Sequence, residues 1–83
     1  MAKQQNHFTQ VFYIQEYTIS MQKKGVTNKK IIENLQAVYP ISERAFYRYL
    51  SRNVRKELRA MGVDMDELKK KSESIINHLN SLT

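Results

Sequence analysis

Three times in this chain an apolar residue stands directly before a capping residue, and a second apolar residue follows four positions after that cap. Val26, Thr27 and Ile31 form the first set, Ile41, Ser42 and Phe46 the second, and Val63, Asp64 and Leu68 the third. The pattern is a hydrophobic staple around a helix N-cap. The Thr, Ser or Asp oxygen accepts from a backbone N–H that has no partner inside the helix, and the two apolar side chains set the angle at which the chain enters it. Glu67, three residues after Asp64, adds a capping-box partner to the third set. The two glycines and the single proline, Gly25, Gly62 and Pro40, fall between these segments, where helices end.

Four helices follow, with no strand and no internal duplication. Helix 1 is expected from about Phe8 to Lys24, with Val11, Phe12, Ile14, Tyr17, Thr18 and Met21 on one broad face and frayed residues before it. Helix 2 is expected from about Asn28 to Val38, a short support helix with Ile31, Ile32, Leu35 and Val38 on one side. Tyr39-Pro40-Ile41 then turns the chain, because Pro40 donates no N–H and disfavours helical geometry at Tyr39. Helix 3 is read as continuous from about Glu43 to Met61, burying Phe46, Leu50, Val54 and Leu58 at i, i+4 spacing. Helix 4, from Met65 to Leu82, carries Leu68, Ser72, Ile75, Leu79 and Leu82 in a heptad-like seam. The expected fold is all-α: a compact four-helix domain, with residues 1–62 as its helical unit and 63–83 as a C-terminal amphipathic helix.

Eighty-three residues allow one modest core. With no cysteine there is neither a disulfide framework nor a thiolate metal site, so stability must come from helix packing or self-association. No apolar run approaches the roughly 18 to 20 residues that span a bilayer, and the first residues are polar, so a cytoplasmic location and no membrane partner are expected. Catalysis is not expected either. His7 and His78 lie near opposite ends, two glycines cannot build a phosphate loop, and Asp64, Asp66 and Glu67 sit where a helix start needs capping. No cofactor, metal or small-molecule ligand is implied.

The formal charge is +6 and its distribution is uneven. Residues 41–63 hold Arg44, Arg48, Arg52, Arg55, Lys56 and Arg59 against only Glu43 and Glu57, whereas residues 64–83 hold three basic and four acidic side chains. A small basic body favours polyanionic partners, nucleic acid first. A short helix, a tight connection and a second helix with long side chains on its outer face are the parts of a helix-turn-helix reader of duplex DNA, spanning about Thr27 to Arg59. On this reading Ser42 and the first turn of helix 3 hold a phosphate. Arg44, Tyr47, Arg48, Ser51 and Arg52 line the groove, where arginine can donate two hydrogen bonds to guanine. Arg55, Lys56 and Arg59, with Lys29 and Lys30 on helix 2, reach flanking phosphates. The competing reading leaves these arginines as the solvated outside of a core helix, with Tyr47 at the rim of the core.

The segments Thr27-Asn28-Lys29-Lys30-Ile31-Ile32-Glu33-Asn34-Leu35 and Ser42-Glu43-Arg44-Ala45-Phe46-Tyr47-Arg48-Tyr49-Leu50 resemble the homeodomain-like helix-turn-helix proteins of phages and mobile elements, including the DNA-binding domains of small terminase subunits. In those families a serine or threonine opens the second helix of the unit, and a serine followed at fixed spacing by an apolar residue, an arginine and another apolar residue opens the recognition helix. This chain departs from the most regular pattern in its turn, where Val38-Tyr39-Pro40-Ile41 replaces a glycine-containing connection. The resemblance implies double-stranded DNA as partner, a role in transcription regulation or as a DNA-processing accessory, and a bacterial or phage-infected host cell. It also implies assembly through the helices that follow the DNA-binding unit.

Met65, Leu68, Ile75, Leu79 and Leu82 either complete the core against helix 1 or join copies into a homodimer or higher homo-oligomer. A two-fold assembly would bind half-sites about one helical turn apart. Two other functions fit the same residues: a helical adaptor or inhibitor whose basic face docks an acidic protein surface, and RNA binding, which ranks lower because Tyr47 is the main aromatic offered for stacking.

Overall fold

The computed structural model describes residues 2–81, with side-chain surroundings given for residues 7–78 and 81. Five helices follow one another: α1 (Ala2–Lys23), α2 (Asn28–Gln36), α3 (Glu43–Leu50), α4 (Val54–Ala60) and α5 (Met65–Ser81). No strand occurs among the described residues. Helix 1 of the sequence reading therefore begins six residues earlier than expected, at Ala2 in place of Phe8. The expected continuous helix from Glu43 to Met61 is two helices, and the count is five where the sequence reading gave four.

The staples form as their chemistry requires. Thr27 Oγ1 accepts from the Lys30 N–H at 3.3 Å and Ser42 Oγ from the Ala45 N–H at 3.0 Å. Asp64 Oδ1 accepts from Asp66 and Glu67 N–H at 3.1 and 3.3 Å. Both glycines have φ near +80°, at 81° for Gly25 and 82° for Gly62, which a side chain would strain. Each closes a Schellman motif: Val26 N–H donates to Met21 O and Gly25 N–H to Gln22 O, then Val63 N–H to Leu58 O and Gly62 N–H to Arg59 O. Val26 and Val63 thus serve twice, each sealing one helix end and stapling the next start.

Between α2 and α3 the chain tightens around Pro40. Val38 and Tyr39 N–H both donate to Leu35 O, at 3.0 and 2.8 Å, which ends α2 at Gln36, two residues earlier than the apolar spacing suggests. Ile41 N–H donates to Tyr39 O at 2.9 Å, and Gln36 Nε2 reaches across to Ile41 O at 3.1 Å. The Val38 side chain is consequently exposed.

α1 is the packing partner of every other helix. Its Ile14, Tyr17 and Met21 are buried with Ile31, Ile32 and Leu35 of α2, with Ile41, and with Phe46 of α3. Its Phe8, Val11 and Phe12 are buried with Val54 and Leu58 of α4 and Leu68 of α5. Tyr49 packs against both clusters and joins them. The buried hydroxyl of Thr18 donates to Ile14 O at 2.7 Å, that of Ser72 to Lys69 O at 2.7 Å, and Asn34 Nδ2 donates to the Tyr17 hydroxyl at 3.0 Å. The radius of gyration, 12.4 Å, is close to the roughly 12 Å of a compact chain of this length.

The break between α3 and α4 has a specific cause. Ser51, Arg52 and Asn53 leave the helix, and Asn53 becomes a new N-cap whose side chain accepts from the Lys56 N–H at 3.4 Å. The end of α3 closes on itself, with Ser51 N–H donating to Arg48 O at 3.3 Å and Arg52 N–H to Tyr49 O at 3.2 Å. Gln15, from the middle of α1, donates its amide to Tyr49 O and to Arg52 O, each at 2.6 Å. One side chain thereby ties the end of α3 and the linker to the central helix. Replacing Gln15 by Leu is expected to lower unfolding stability by about 0.5–1.5 kcal/mol, the net worth of such hydrogen bonds, because Tyr49 O keeps its Arg52 N–H partner and Arg52 O is open to water. Gln15→Glu should cost at least as much, because an ionised carboxylate can only accept and would face two carbonyl oxygens. Urea unfolding followed by circular dichroism checks both; wild-type midpoints would remove Gln15 from this role.

Candidate functional site

The outer surface of α3 is set by which of its residues the core takes. Phe46 is fully buried, Tyr49 and Leu50 are half-buried, and this leaves Arg44, Tyr47, Arg48 and Ser51 exposed at i, i+3, i+4 and i+7. That spacing places them along one stripe about 10 Å long. Tyr47 is 47% exposed and meets the Phe46 ring edge-on at 5.2 Å between centroids, so its ring is braced from below while its other side is open. Ser51 is turned inward to the helix end, its hydroxyl donating to Arg48 O at 2.9 Å. Ser42 uses its hydroxyl as the α3 cap.

The break separates the arginines into two groups. Arg52 leaves the stripe: its guanidinium lies over the Phe8 ring at 4.5 Å and pairs with Glu57 at 3.3 Å. Arg55 also faces α1, over the Phe12 ring at 5.4 Å and paired with Glu16. Both were expected among the DNA contacts on the assumption of a continuous helix. The loss of helical geometry at residues 51–53 turns them instead onto the aromatic side chains of α1. Arg44, Arg48 and Arg59, with Lys29, Lys30 and Lys56, are exposed and have no carboxylate within 4.0 Å among the described residues.

Beside the stripe, α2 and α3 enclose a shallow groove lined by Lys29, Ile32, Glu33, Gln36, Glu43 and Tyr47. The stripe thus carries cations, and the groove beside it carries two carboxylates with one lysine. Away from the groove lining, burial, and to a smaller extent the neighbouring Tyr13, pushes the Tyr39 phenol above its ordinary 10.0; burial raises Tyr13 likewise. Both rings stay neutral near pH 7.

The residues expected to join copies of the chain lie elsewhere. Leu68 is buried against α1 and α4, Met65 packs on the same cluster, and Ile75 packs on the cluster around Phe46. All three complete the core within one chain. The Leu79 side chain and Leu82 lie outside the described residues. Sequence reasoning missed Asn53, Gln15, Glu16 and Glu43. Asn53 carried a signal, since Ser51 and Asn53 both favour caps and turns over helix interiors. Gln15 and Glu16 carried none, because their partners lie 34 to 39 residues away in the chain.

No helix of the described residues is long and apolar enough to cross a membrane. Among protein-family models, curated proteins and solved structures, nothing matches this chain.

The division of the arginines makes a stability prediction. Arg44→Ala and Arg48→Ala should change unfolding stability by less than about 0.5 kcal/mol, as exposed side chains without partners do. Arg55→Ala should lose up to about 1 kcal/mol, because it removes an ion pair and an aromatic contact, both partly exposed. Urea midpoints rank the three; equal losses at all would dissolve the distinction.

Proposed function

We propose that the chain binds duplex DNA through a helix-turn-helix formed by α2 and α3, with the outer stripe of α3 in the major groove. The observation that carries this reading is the contrast among arginines. Arg52 and Arg55 are engaged by acids and aromatic faces of the fold, while Arg44 and Arg48 stand exposed on a single stripe with Tyr47 and without counter-charges. Exposed, unpaired arginines at one-turn spacing cost self-repulsion and give the fold nothing, which favours a polyanionic partner.

Dimensions agree. α3 is eight residues, about 12 Å long, and a helix about 10–12 Å across with its side chains fits a major groove about 12 Å wide. Arg44 and Arg48 are assigned to base edges, where each can donate two hydrogen bonds to guanine O6 and N7, and Tyr47 to a thymine methyl or a sugar between them. Lys29, Lys30, Lys56 and Arg59 are assigned to phosphates, giving affinity without sequence information. Arg52 and Arg55 act through the fold. The reading needs no second copy of the chain, since Met65, Leu68 and Ile75 are used within one.

Fluorescence anisotropy with labelled duplexes at several salt concentrations tests this. Four phosphate contacts predict a log–log slope of about −3.6. On a selected site, Arg44→Ala or Arg48→Ala should each remove about 1–3 kcal/mol of discrimination against the wrong base, while Arg59→Ala should weaken all sequences alike and flatten the slope by about 0.9. Absence of binding at low salt would retire the DNA reading and favour an acidic protein as the partner of the same stripe.

A further inference from the structure

Glu43 is the first residue of α3, beside Arg44 and one turn before Tyr47. Its side chain is exposed, lines the groove between α2 and α3 together with Tyr47, and has no cation within 4.0 Å among the described residues. A carboxylate at a helix start interacts favourably with the helix dipole, which accounts for an acid somewhere in this turn. It does not account for an acid beside the stripe that the DNA reading lays against a polyanion. There a carboxylate facing phosphate is repelled, whereas one facing a base edge can accept a hydrogen bond from an exocyclic amino group. In the major groove cytosine N4 offers such a donor, and acidic side chains accept from it. The N-terminal residues of a recognition helix are the ones that reach base edges.

We propose that Glu43 is a specificity-determining residue that accepts from the N4 amino group of a cytosine, beside the guanine read by Arg44. The inference rests on the DNA reading of α3 and adds an acceptor to its donors. Adjacent residues, one that can only accept and one that can only donate, select opposite edge patterns. A site built of donors alone would tolerate any acceptor-rich edge, whereas the Glu43–Arg44 pair rejects bases that present an acceptor to the carboxylate. Glu43 thereby lowers affinity for mismatched DNA as well as supporting the matched site.

The test is selection of bound sequences from a library of duplexes with a random core, using the full chain as wild type, Glu43→Gln and Glu43→Ala. Wild type should enrich cytosine at one position with a preference of roughly tenfold. Glu43→Gln should shift that position toward adenine, whose N6 and N7 match a glutamine amide, and Glu43→Ala should relax it while leaving the remaining positions unchanged. The helical fold of both variants should be retained, with urea midpoints lowered only slightly by loss of the helix-start charge, because the side chain is exposed. An unchanged consensus in both variants, with affinity raised equally on all sequences, would overturn the proposal and leave Glu43 as a helix-start charge. Failure of the wild type to enrich any sequence while still binding random duplex would overturn it by removing base readout. Failure to bind DNA at all would remove the DNA reading beneath it.

Discussion

The apolar face of α1 is the surface on which the remaining helices depend. α2, α3 and α4 are nine, eight and seven residues long, lengths at which an isolated helix does not persist in water. Each is held by burying one to three of its side chains against Phe8, Val11, Phe12, Ile14, Tyr17 or Met21 of α1. α5 is longer but lies on the same support through Leu68, with Ile75 and Ile76 packed on the cluster around Phe46. The caps and Schellman turns decide where each helix starts and stops, and α1 decides that they persist.

From that support follows the character of the candidate site. α3 is short because the chain leaves helical geometry at Ser51, and Gln15 braces the break by donating to Tyr49 O and Arg52 O. The same break turns Arg52 and Arg55 onto the aromatic rings of α1. An eight-residue helix with a clean outer stripe is thus a product of packing on its inner side. Exposed, unpaired positions and engaged ones divide among arginines that the sequence presents as one series.

Much of this was legible in the residues and some was not, for identifiable reasons. The three staples with Gly25 and Gly62 located five helix boundaries closely, because caps and left-handed turns depend on local chemistry. The apolar series Phe46, Leu50, Val54 and Leu58 correctly marked the inward side, yet it concealed the break. A three-residue excursion replaces nearly one helical turn, so the i, i+4 spacing survives on both sides of it. The polar side did change, and Arg52 is the residue where extrapolation of the stripe failed. The start of α1 at Ala2 was missed because Lys3, Gln4, Gln5 and Asn6 carry no apolar period. Whether the α5 seam closed on its own chain was open in the sequence, since one apolar stripe serves either packing; the fold uses Leu68 and Ile75 at home.

The central claim is that the outer stripe of α3 meets duplex DNA while α1 and α5 act as its scaffold. Backbone amide NMR spectra of the labelled chain, titrated with a duplex, test it residue by residue. The account predicts the largest shifts at Arg44, Tyr47, Arg48 and Ser51, smaller ones at Lys29, Lys30, Lys56 and Arg59, and little change along α5. Shifts concentrated on Lys69, Lys70 and Lys71 of α5, or no shifts at low salt, would contradict it.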